Sequence, residues 1–262
     1  MDYFGRSRPL LLLNMGSDGD ATGMYLDGAA AALERGYNAL AYDGPGQGAA
    51  LFLQGLYFRP DWEKVVTPVV DFALGRPELD PERIAILRVS QAGYWVPRAV
   101  AFEHRIAAAI ADPGVFDVST SWIDYLPQDI QELLEKGEKE EFDRNLEAGM
   151  RSSESLLYTL RFRMRPYGTD SPYDAFKMAE QYTLEGVAEK ISCPMLVTDP
   201  ENEQFWPGQP HRVYEALSSP KELVPFTAAE GADSHCEPKA HSLREQRIFD
   251  WLDETLEVSH KR

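Results

Sequence analysis

Three polar residues in the chain have the types and the order that nucleophilic catalysis requires. Ser90, Glu203 and His235 each follow a different apolar stretch, in the order serine, acid, histidine. Serine is a weak nucleophile at neutral pH unless an imidazole accepts its proton, and the imidazole needs a carboxylate to hold its tautomer and stabilise its charged form. The sequence therefore predicts Ser90 as the nucleophile, His235 as the base and Glu203 as the acid.

The identity of the acid is open at the level of sequence. Glu203 has the most suitable distance from the end of the preceding strand, and Asp199 is the second candidate. Glu201, Asn202 and Asp112 are weaker alternatives. Because a Glu is one methylene longer than an Asp, Glu203 can serve only if its loop retracts slightly.

An oxyanion hole completes the predicted site. The oxyanion that forms when a serine attacks a carbonyl requires two backbone donors. We expect one donor from the N–H of Gln91, directly after the nucleophile, and one from the loop "NMGSDG", where Gly16 and Ser17 are the candidates.

Apolar runs alternate with helical patterns along most of the chain. Strands are predicted at 9–16, 37–48 (stopped by the turn "GPGQG"), 83–89, 105–112, 193–199 and 221–228, and helices near 21–35, 62–75, 91–102 and 238–256. Gly36 and Asp61 are expected to cap the first two helices. Continuous apolar strands separated by helices are typical of a parallel sheet covered on both faces. The carboxyl ends of such strands bring residues remote in sequence together.

Residues 117–190 differ from the rest of the chain. They are rich in charged residues, aromatic residues and helix formers, and contain no convincing strand. We interpret them as a helical lid inserted between a first core segment, 1–116, and a second, 191–262. Aromatic side chains here and nearby are explained by lid packing or by a pocket for a flat, hydrophobic substrate. If there is such a pocket, we expect the substrate to contact Trp95, Trp122, Tyr125 and Trp206.

Composition excludes several classes of function. The 262 residues include 43 acidic and 26 basic ones, a formal net charge of -17, which argues against binding to nucleic acid or to an anionic membrane. The longest aliphatic run near the N-terminus, Leu10 to Leu13, is too short for a membrane span or a signal peptide. A soluble, cytoplasmic protein is predicted. Cys193 and Cys236 are expected to be reduced, and they lack metal-ligand spacing with any histidine pair, so neither metal nor cofactor is expected.

The motifs as a set resemble the α/β-hydrolase superfamily. "YDGPGQG", the serine turn "LRVSQAGYW", "DPENEQFWPG" and "EGADSHC" occur in that family's order over nearly the whole chain. "GYNALAYDGPGQG" and "VSQAGYW" are similar to the group that includes 2,6-dihydroxypseudooxynicotine hydrolase and fungal polyketide-shortening pigment hydrolases. The resemblance implies a mostly parallel sheet of about six strands with helices on both faces and a helical lid.

The same resemblance implies a function. It places the nucleophile at Ser90, the base at His235 and the acid in the segment 199–203. Members of the group cleave carbon–carbon bonds of aryl ketones and polyketides, and they tend to be dimers with a helical region before the core. We therefore expect a small-molecule substrate and a homodimer.

Two features depart from the family pattern. The chain enters its first strand after about eight residues, so we expect the family's N-terminal strands to be missing. "NALAYD" would then be an exposed sheet edge, in a truncated form or under a partner chain. Arg88 occupies the position of the first glycine of G-x-S-x-G, and Ala92 that of the second. Because that first position is crowded, the Arg88 guanidinium is expected to bend toward solvent or to enter the site, and to perturb the turn.

These observations favour a serine hydrolase that cleaves an ester or a carbon–carbon bond next to a carbonyl. A degenerate hydrolase that binds a ligand or a partner protein without turnover is the alternative, favoured by Arg88 and by the missing strands. A peptidase of the prolyl-oligopeptidase type is a weaker option, since the chain has no room for an access-limiting propeller.

Overall fold

The sheet of this protein is parallel throughout. The computed structural model describes residues 7–258, and its six strands have the spatial order β2-β1-β3-β4-β5-β6. The strands are β1 (Arg8–Asn14), β2 (Asn38–Ala41), β3 (Leu79–Val89), β4 (Ala108–Asp112), β5 (Met195–Pro200) and β6 (Lys221–Phe226). The predicted α/β-hydrolase-type sheet of about six strands is confirmed.

Helices cover both faces of the sheet. They are α1 (Ala29–Glu34), α2 (Gly48–Phe52), α3 (Glu63–Leu74), α4 (Ala92–Val100), α5 (Thr120–Ile123), α6 (Gln128–Lys136), α7 (Lys139–Ser152), α8 (Glu154–Met164), α9 (Pro172–Ala179), α10 (Gln209–Ala216) and α11 (His241–Thr255). Side chains of α3, α4 and α10 pack on one face and those of α1 and α11 on the other. None of the helices within 7–258 is long and apolar enough to cross a membrane.

Strand β1 shows why the strand sequences are continuously apolar. Leu10 and Leu12 face the core formed with α3 and α4, whereas Leu11 and Leu13 face the core formed with α1 and α11. Because successive side chains of a strand point to opposite faces, a sheet buried on both sides needs apolar residues at every position.

The register of the sheet brings the predicted site loops together. Asn14 at the end of β1 pairs with Arg88 of β3, and Val89 pairs with Asp112 at the end of β4. The loop after β1, the turn after β3 and the segment after β4 therefore leave the sheet at the same edge. Strand β2 pairs only with β1 in the described part of the chain, so "NALAYD" contains an edge strand as expected.

The segment between β4 and β5 is helical, as its sequence predicts. It contains α5 to α9, and its one β feature among the described residues is an isolated bridge between Asp117 and Thr183. Its interior is aromatic: the Trp122 ring packs edge-on against Tyr167 at 5.4 Å and against Phe176 at 5.1 Å. The division of the chain at 116 and 190 stays a prediction.

Several local predictions need correction. Asp61 does not cap α3, because its carboxylate pairs with Arg59 at 2.6 Å and with Lys64 at 2.8 Å. The first helix is shorter than predicted, starting at Ala29, although Gly36 after it has the expected left-handed φ of 85°. The turn "GPGQG" leads directly into α2, a short helix that was not predicted from the sequence.

The Arg88 side chain takes neither of the predicted paths. It is fully buried on the α3 side of β3, with its guanidinium carbon 4.8 Å from the centre of the Tyr42 ring and 5.9 Å from that of Trp62. Its Nη2 donates to the Tyr42 hydroxyl, whereas Nε and Nη1 have no partner among the described residues. Burial lowers the pKa of Arg88. The guanidinium thus lies between the sheet and the start of α3, outside the predicted site.

Replacing Arg88 should therefore change stability. A buried cation without a carboxylate is costly, so Arg88→Met, which keeps most of the volume, should raise the free energy of unfolding by about 1 kcal/mol. Arg88→Gly should lower it by about 3 kcal/mol because it leaves a cavity. Urea denaturation measures both. A marked loss of stability in Arg88→Met would show that the contacts with Tyr42 and Trp62 outweigh the cost of desolvation.

Candidate active site

Ser90 lies on a tight bend between β3 and α4. Its φ of 61° falls in the left-handed region that residues other than glycine rarely adopt. Two backbone hydrogen bonds hold the bend: the Ser90 N–H donates to the Asp112 carbonyl at 2.6 Å, and the Gly93 N–H donates to the Ser90 carbonyl at 2.7 Å. The bend presents the hydroxyl at the carboxyl edge of the sheet.

Two glycines make room for this bend. A Cβ on Gly16 would lie 2.6 Å from the Cβ of Ser90, and a Cβ on Gly93 would collide with the carbonyl oxygen of Pro113. Sequence reasoning considered the residues two before and two after Ser90 and missed Gly93, three residues after it. The signal was the glycine in "SQAG", since the start of α4 lies against Pro113, directly after β4.

Ser90, His235 and Glu203 form a continuous hydrogen-bonded series. The Nε2 of His235 lies 2.9 Å from the Oγ of Ser90, and its Nδ1 lies 2.9 and 2.8 Å from the two carboxylate oxygens of Glu203. The side chains of His235 and Glu203 are 12% and 2% exposed. An Nδ1–H that donates to the carboxylate leaves Nε2 free to accept the serine proton. The three predicted residues are brought together.

The loop after β5 accommodates the longer side chain of Glu203. The Oε1 of Glu203 also accepts from the N–H groups of Phe205 at 2.8 Å and Trp206 at 3.2 Å. The Glu203 N–H itself donates to the Pro200 carbonyl, which turns the chain back toward the sheet. With this turn, both carboxylate oxygens of Glu203 lie within hydrogen-bond distance of His235.

The alternative acids have other partners. Asp199 lies 2.9 Å from the Nε2 of His211, and Asn202 donates to Asp233 at 2.7 Å. Glu201 accepts from the N–H of Ala228 at 2.7 Å, and Asp112 accepts from the Thr198 hydroxyl at 2.7 Å. Among the described residues, Glu203 is thus the acid that contacts His235.

The predicted oxyanion donors surround the nucleophile. Gly16 is buried against Ser90, and Gln91 follows Ser90 directly at the start of α4. The backbone N–H groups of Gly16, Ser17 and Gln91 donate to no acceptor within residues 7–258. Their role as an oxyanion hole stays a prediction, and their positions suit it.

Gln47 fixes the loop that carries Gly16, and sequence reasoning missed it. Its buried amide donates from Nε2 to the carbonyl oxygens of Met15 and Gly16 at 2.5 and 2.6 Å, and its Oε1 accepts from Asn14 and from the N–H of Gly44. The motif "GPGQG" is therefore more than a turn. The one signal in the sequence was a polar residue among glycines directly after a strand.

A cavity of about 110 Å³ lies beside the Ser90 hydroxyl. Six of the fourteen residues in its walls are Phe, Tyr or Trp, and the polar groups of the wall come from the loop after β1, from Ser90, Gln91 and His235, and from the helical segment. The lining residues are Ser17, Asp18, Phe58, Ser90, Gln91, Ser121, Trp122, Phe162, Arg163, Pro166, Tyr167, Phe205, Trp206 and His235. The cavity thus combines the predicted aromatic character with an unpredicted arginine.

The predicted aromatic residues divide into two groups. Trp122 and Trp206 line the cavity. Trp95 is fully buried and stacks on Trp62 with ring centres 4.0 Å apart, so the prediction that it contacts substrate is wrong. Tyr125 is 69% exposed, donates to the Gln204 carbonyl and does not line the cavity, so its assignment also needs correction. Periodicity alone could not tell which side of a helix faces the nucleophile.

Two buried carboxyl groups lie directly behind the bend. Asp112 and Glu237 are both inaccessible to solvent, and Arg244 lies 3.6 Å from Asp112. Burial, followed by the charge of Asp112, raises the pKa of Glu237 well above its usual range. Burial and the charge of Asp112 thus both favour the protonated form of Glu237. Glu237 lies two residues after His235, so its buried carboxyl belongs to the segment that carries the histidine.

Neither cysteine is in a disulfide: Cys193 is buried, and Cys236, next to Glu237 in the chain, is partly exposed. Within the described ranges, no three His, Cys, Asp or Glu side chains are grouped closely enough to hold a metal ion.

The raised pKa of Glu237 predicts how stability depends on pH. The folded state holds a proton on Glu237 that the unfolded chain loses near its ordinary pKa, so this group's stabilising contribution is complete below that value and is lost as pH rises toward the folded pKa. Glu237→Gln keeps the shape and removes the titration. Urea midpoints measured between pH 5 and 9 should fall more steeply for the natural chain than for Glu237→Gln. Equal slopes would contradict a neutral Glu237.

Comparison with known proteins identifies the class. No protein-family model matches the chain. The hydrolase acrC of Aspergillus aculeatus is 32% identical over 265 residues, which cover 95% of this chain and 61% of that protein. The 20-hydroxy-prefusarin hydrolase FUS2 of Gibberella moniliformis is 30% identical over 270 residues, which cover 95% of this chain and 62% of that protein. The chain thus spans about three fifths of the length of these curated relatives.

Solved structures show the same fold. The 2,6-dihydroxy-pseudo-oxynicotine hydrolase superposes with a TM-score of 0.70 at 20% identity, over 97% of this chain and 62% of that one. The α/β hydrolase GrgF from Penicillium superposes with a TM-score of 0.67 at 20% identity, over 97% of this chain and 92% of that one.

The chain has the α/β-hydrolase fold that its sequence predicts. It is similar in sequence to named fungal hydrolases and in fold to 2,6-dihydroxy-pseudo-oxynicotine hydrolase, so the predicted resemblance is confirmed. The hydrolase names of its relatives agree with the predicted enzyme of the α/β-hydrolase type, and the activity of this chain stays a prediction.

Proposed function

We propose that the chain is a serine hydrolase that cleaves an ester, or a carbon–carbon bond next to a carbonyl, through an acyl-enzyme. The observation that carries this proposal is the hydrogen-bonded series from the Ser90 hydroxyl through the His235 imidazole to the Glu203 carboxylate. The hydrolase names of the curated relatives support it.

The chemistry follows from the positions of these groups. Ser90 Oγ attacks the carbonyl carbon while His235 Nε2 accepts its proton, and the ion pair with Glu203 stabilises the imidazolium. The oxyanion accepts from the N–H of Gln91 and from Gly16 or Ser17. His235 then returns the proton to the departing alkoxide or carbanion. Water activated by His235 hydrolyses the acyl-enzyme and frees Ser90.

The substrate we propose is small, hydrophobic, and aromatic or polyketide-like. The aromatic walls of the cavity support a flat substrate. Two relatives are named for hydrolysis of prefusarin and pseudo-oxynicotine compounds, which are small organic molecules. The segment 117–190 contributes Trp122, Phe162 and Tyr167 to the cavity, and we propose that it serves as the lid.

Further parts of the proposal concern binding partners, the oligomeric state and the location in the cell. The acidic composition supports a protein that does not bind nucleic acid. A homodimer is supported by the exposed apolar residues Phe52 and Leu53 at the end of α2, which are 65% and 83% exposed. The cytoplasmic location stays a prediction from the sequence. The non-catalytic alternative loses support because Arg88 lies outside the site.

Covalent labelling tests the nucleophile. A fluorophosphonate should label the natural chain and fail to label Ser90→Ala, and ester hydrolysis should fall by at least about 10³-fold in that variant. Ser192→Ala is the matched control, because Ser192 also lies within hydrogen-bond distance of a histidine, His104, at 3.3 Å. Its labelling should be unchanged. An unlabelled natural chain would overturn the proposed function.

A second experiment tests which acid supports His235. Glu203→Gln keeps the shape but removes the charge that stabilises the imidazolium, so kcat should fall by about 10³-fold or more. Asp199→Asn should change kcat by less than about two-fold, since Asp199 contacts His211 instead. The two variants are compared by steady-state kinetics with one ester. A larger loss in Asp199→Asn would reject the assignment of Glu203.

A further inference from the structure

Arg163 brings a positive charge into the cavity beside the nucleophile. It lies in the last turn of α8 and lines the cavity together with Ser90 and His235. Its guanidinium carbon lies 5.7 Å from the centre of the Trp122 ring. Burial lowers the pKa of Arg163 and the charge of Asp18 opposes this effect. A guanidinium remains protonated at neutral pH in such surroundings, so the wall carries a cation.

Arg163 has no acidic partner in the part of the chain that the structure describes. Its Nη1 donates to the Ser121 carbonyl at 2.9 Å, and no carboxylate oxygen of residues 7–258 lies within 4.0 Å of its nitrogens. By contrast, Arg98 pairs with Glu63 at 2.8 Å. Arg163 therefore lines the cavity with no carboxylate of the described residues close enough to form an ion pair with it. Most of its five donors are available to a ligand.

The side-chain amide of Gln91 is a second donor in the same wall. Gln91 is 4% exposed and lines the cavity, and its Nε2 makes no hydrogen bond of ordinary geometry within the described residues, although Tyr167 lies close by. A buried donor without an acceptor is costly, and a bound oxygen would remove that cost. Asp18, the carboxylate of this wall, is exposed and accepts from the Ser17 hydroxyl.

We propose that Arg163 binds an anionic oxygen of the substrate, a carboxylate or an enolate that is separate from the carbonyl attacked by Ser90. This inference rests on the proposed function and adds the substrate class: small acyl compounds with a flat apolar part and a negative charge. The aromatic walls hold the flat part, and Arg163 forms charge-assisted hydrogen bonds with the anion.

Matched esters test the charge preference. The 4-nitrophenyl monoesters of malonic, succinic and glutaric acid carry a carboxylate at three distances from the scissile carbonyl, and 4-nitrophenyl butyrate is neutral. Arg163→Met should lower kcat/KM by at least about ten-fold for the best charged ester and by less than about two-fold for the butyrate. Arg163→Lys should retain part of the preference. Equal losses for charged and neutral esters would overturn the inference.

Arg161→Met is the control for the charge of α8. Arg161 lies two residues earlier in the same helix, is exposed and lines an outer groove instead of the cavity. The charge preference should be unchanged in this variant. A loss equal to that of Arg163→Met would mean that the net charge of the helix, and no contact in the cavity, is responsible.

A binding measurement separates this inference from the proposed function. Calorimetry with Ser90→Ala should show tighter binding of benzoate than of benzamide. In the double variant Ser90→Ala/Arg163→Met, the ratio of the two Kd values should fall by at least about ten-fold. An anion preference in a chain that no fluorophosphonate labels would overturn the hydrolase proposal and support the Arg163 site. Labelling and butyrate hydrolysis without any anion preference would overturn the Arg163 site alone.

Discussion

The left-handed bend at Ser90 is the constraint on which the site depends. A non-glycine residue at a φ of 61° costs on the order of 1–3 kcal/mol and persists only where its surroundings fix it. Here the register of the sheet does so, because pairing of Val89 with Asp112 places the Asp112 carbonyl 2.6 Å from the Ser90 N–H. Gly16 and Gly93 leave the space that the bend occupies. The hydroxyl is thereby held 2.9 Å from His235 without any movement of the sheet.

The loops around this bend are positioned by polar side chains that have little freedom. Gln47 ties the turn after β2 to the loop after β1, so the donors proposed for the oxyanion are fixed relative to Ser90. Glu203 accepts from two backbone N–H groups of its own loop as well as contacting His235. Such prior ordering matters because a site that is already organised need not reorient its dipoles as charge develops.

Burial of charge has different consequences in different parts of this acidic chain. Arg88 lies under the sheet without an acid and is held by aromatic rings, so its cost falls on stability. Glu237 avoids the same cost by remaining protonated beside Asp112. Arg163 lies at a cavity wall, where a ligand can complete its hydrogen bonds. The same desolvation physics therefore indicates structural roles in two places and recognition in the third.

The sequence by itself determined the parallel sheet, the helical segment between β4 and β5, and the convergence of Ser90, His235 and an acid. Continuous apolar runs reveal strands buried on both faces, and the carboxyl ends of parallel strands must meet. Only the tertiary structure decided that Glu203, and not Asp199, contacts His235, that Trp95 belongs to the core, and that Arg88 lies under the sheet. These outcomes depend on loop turns and on the face to which a side chain points, and both are set by packing between segments far apart in the chain.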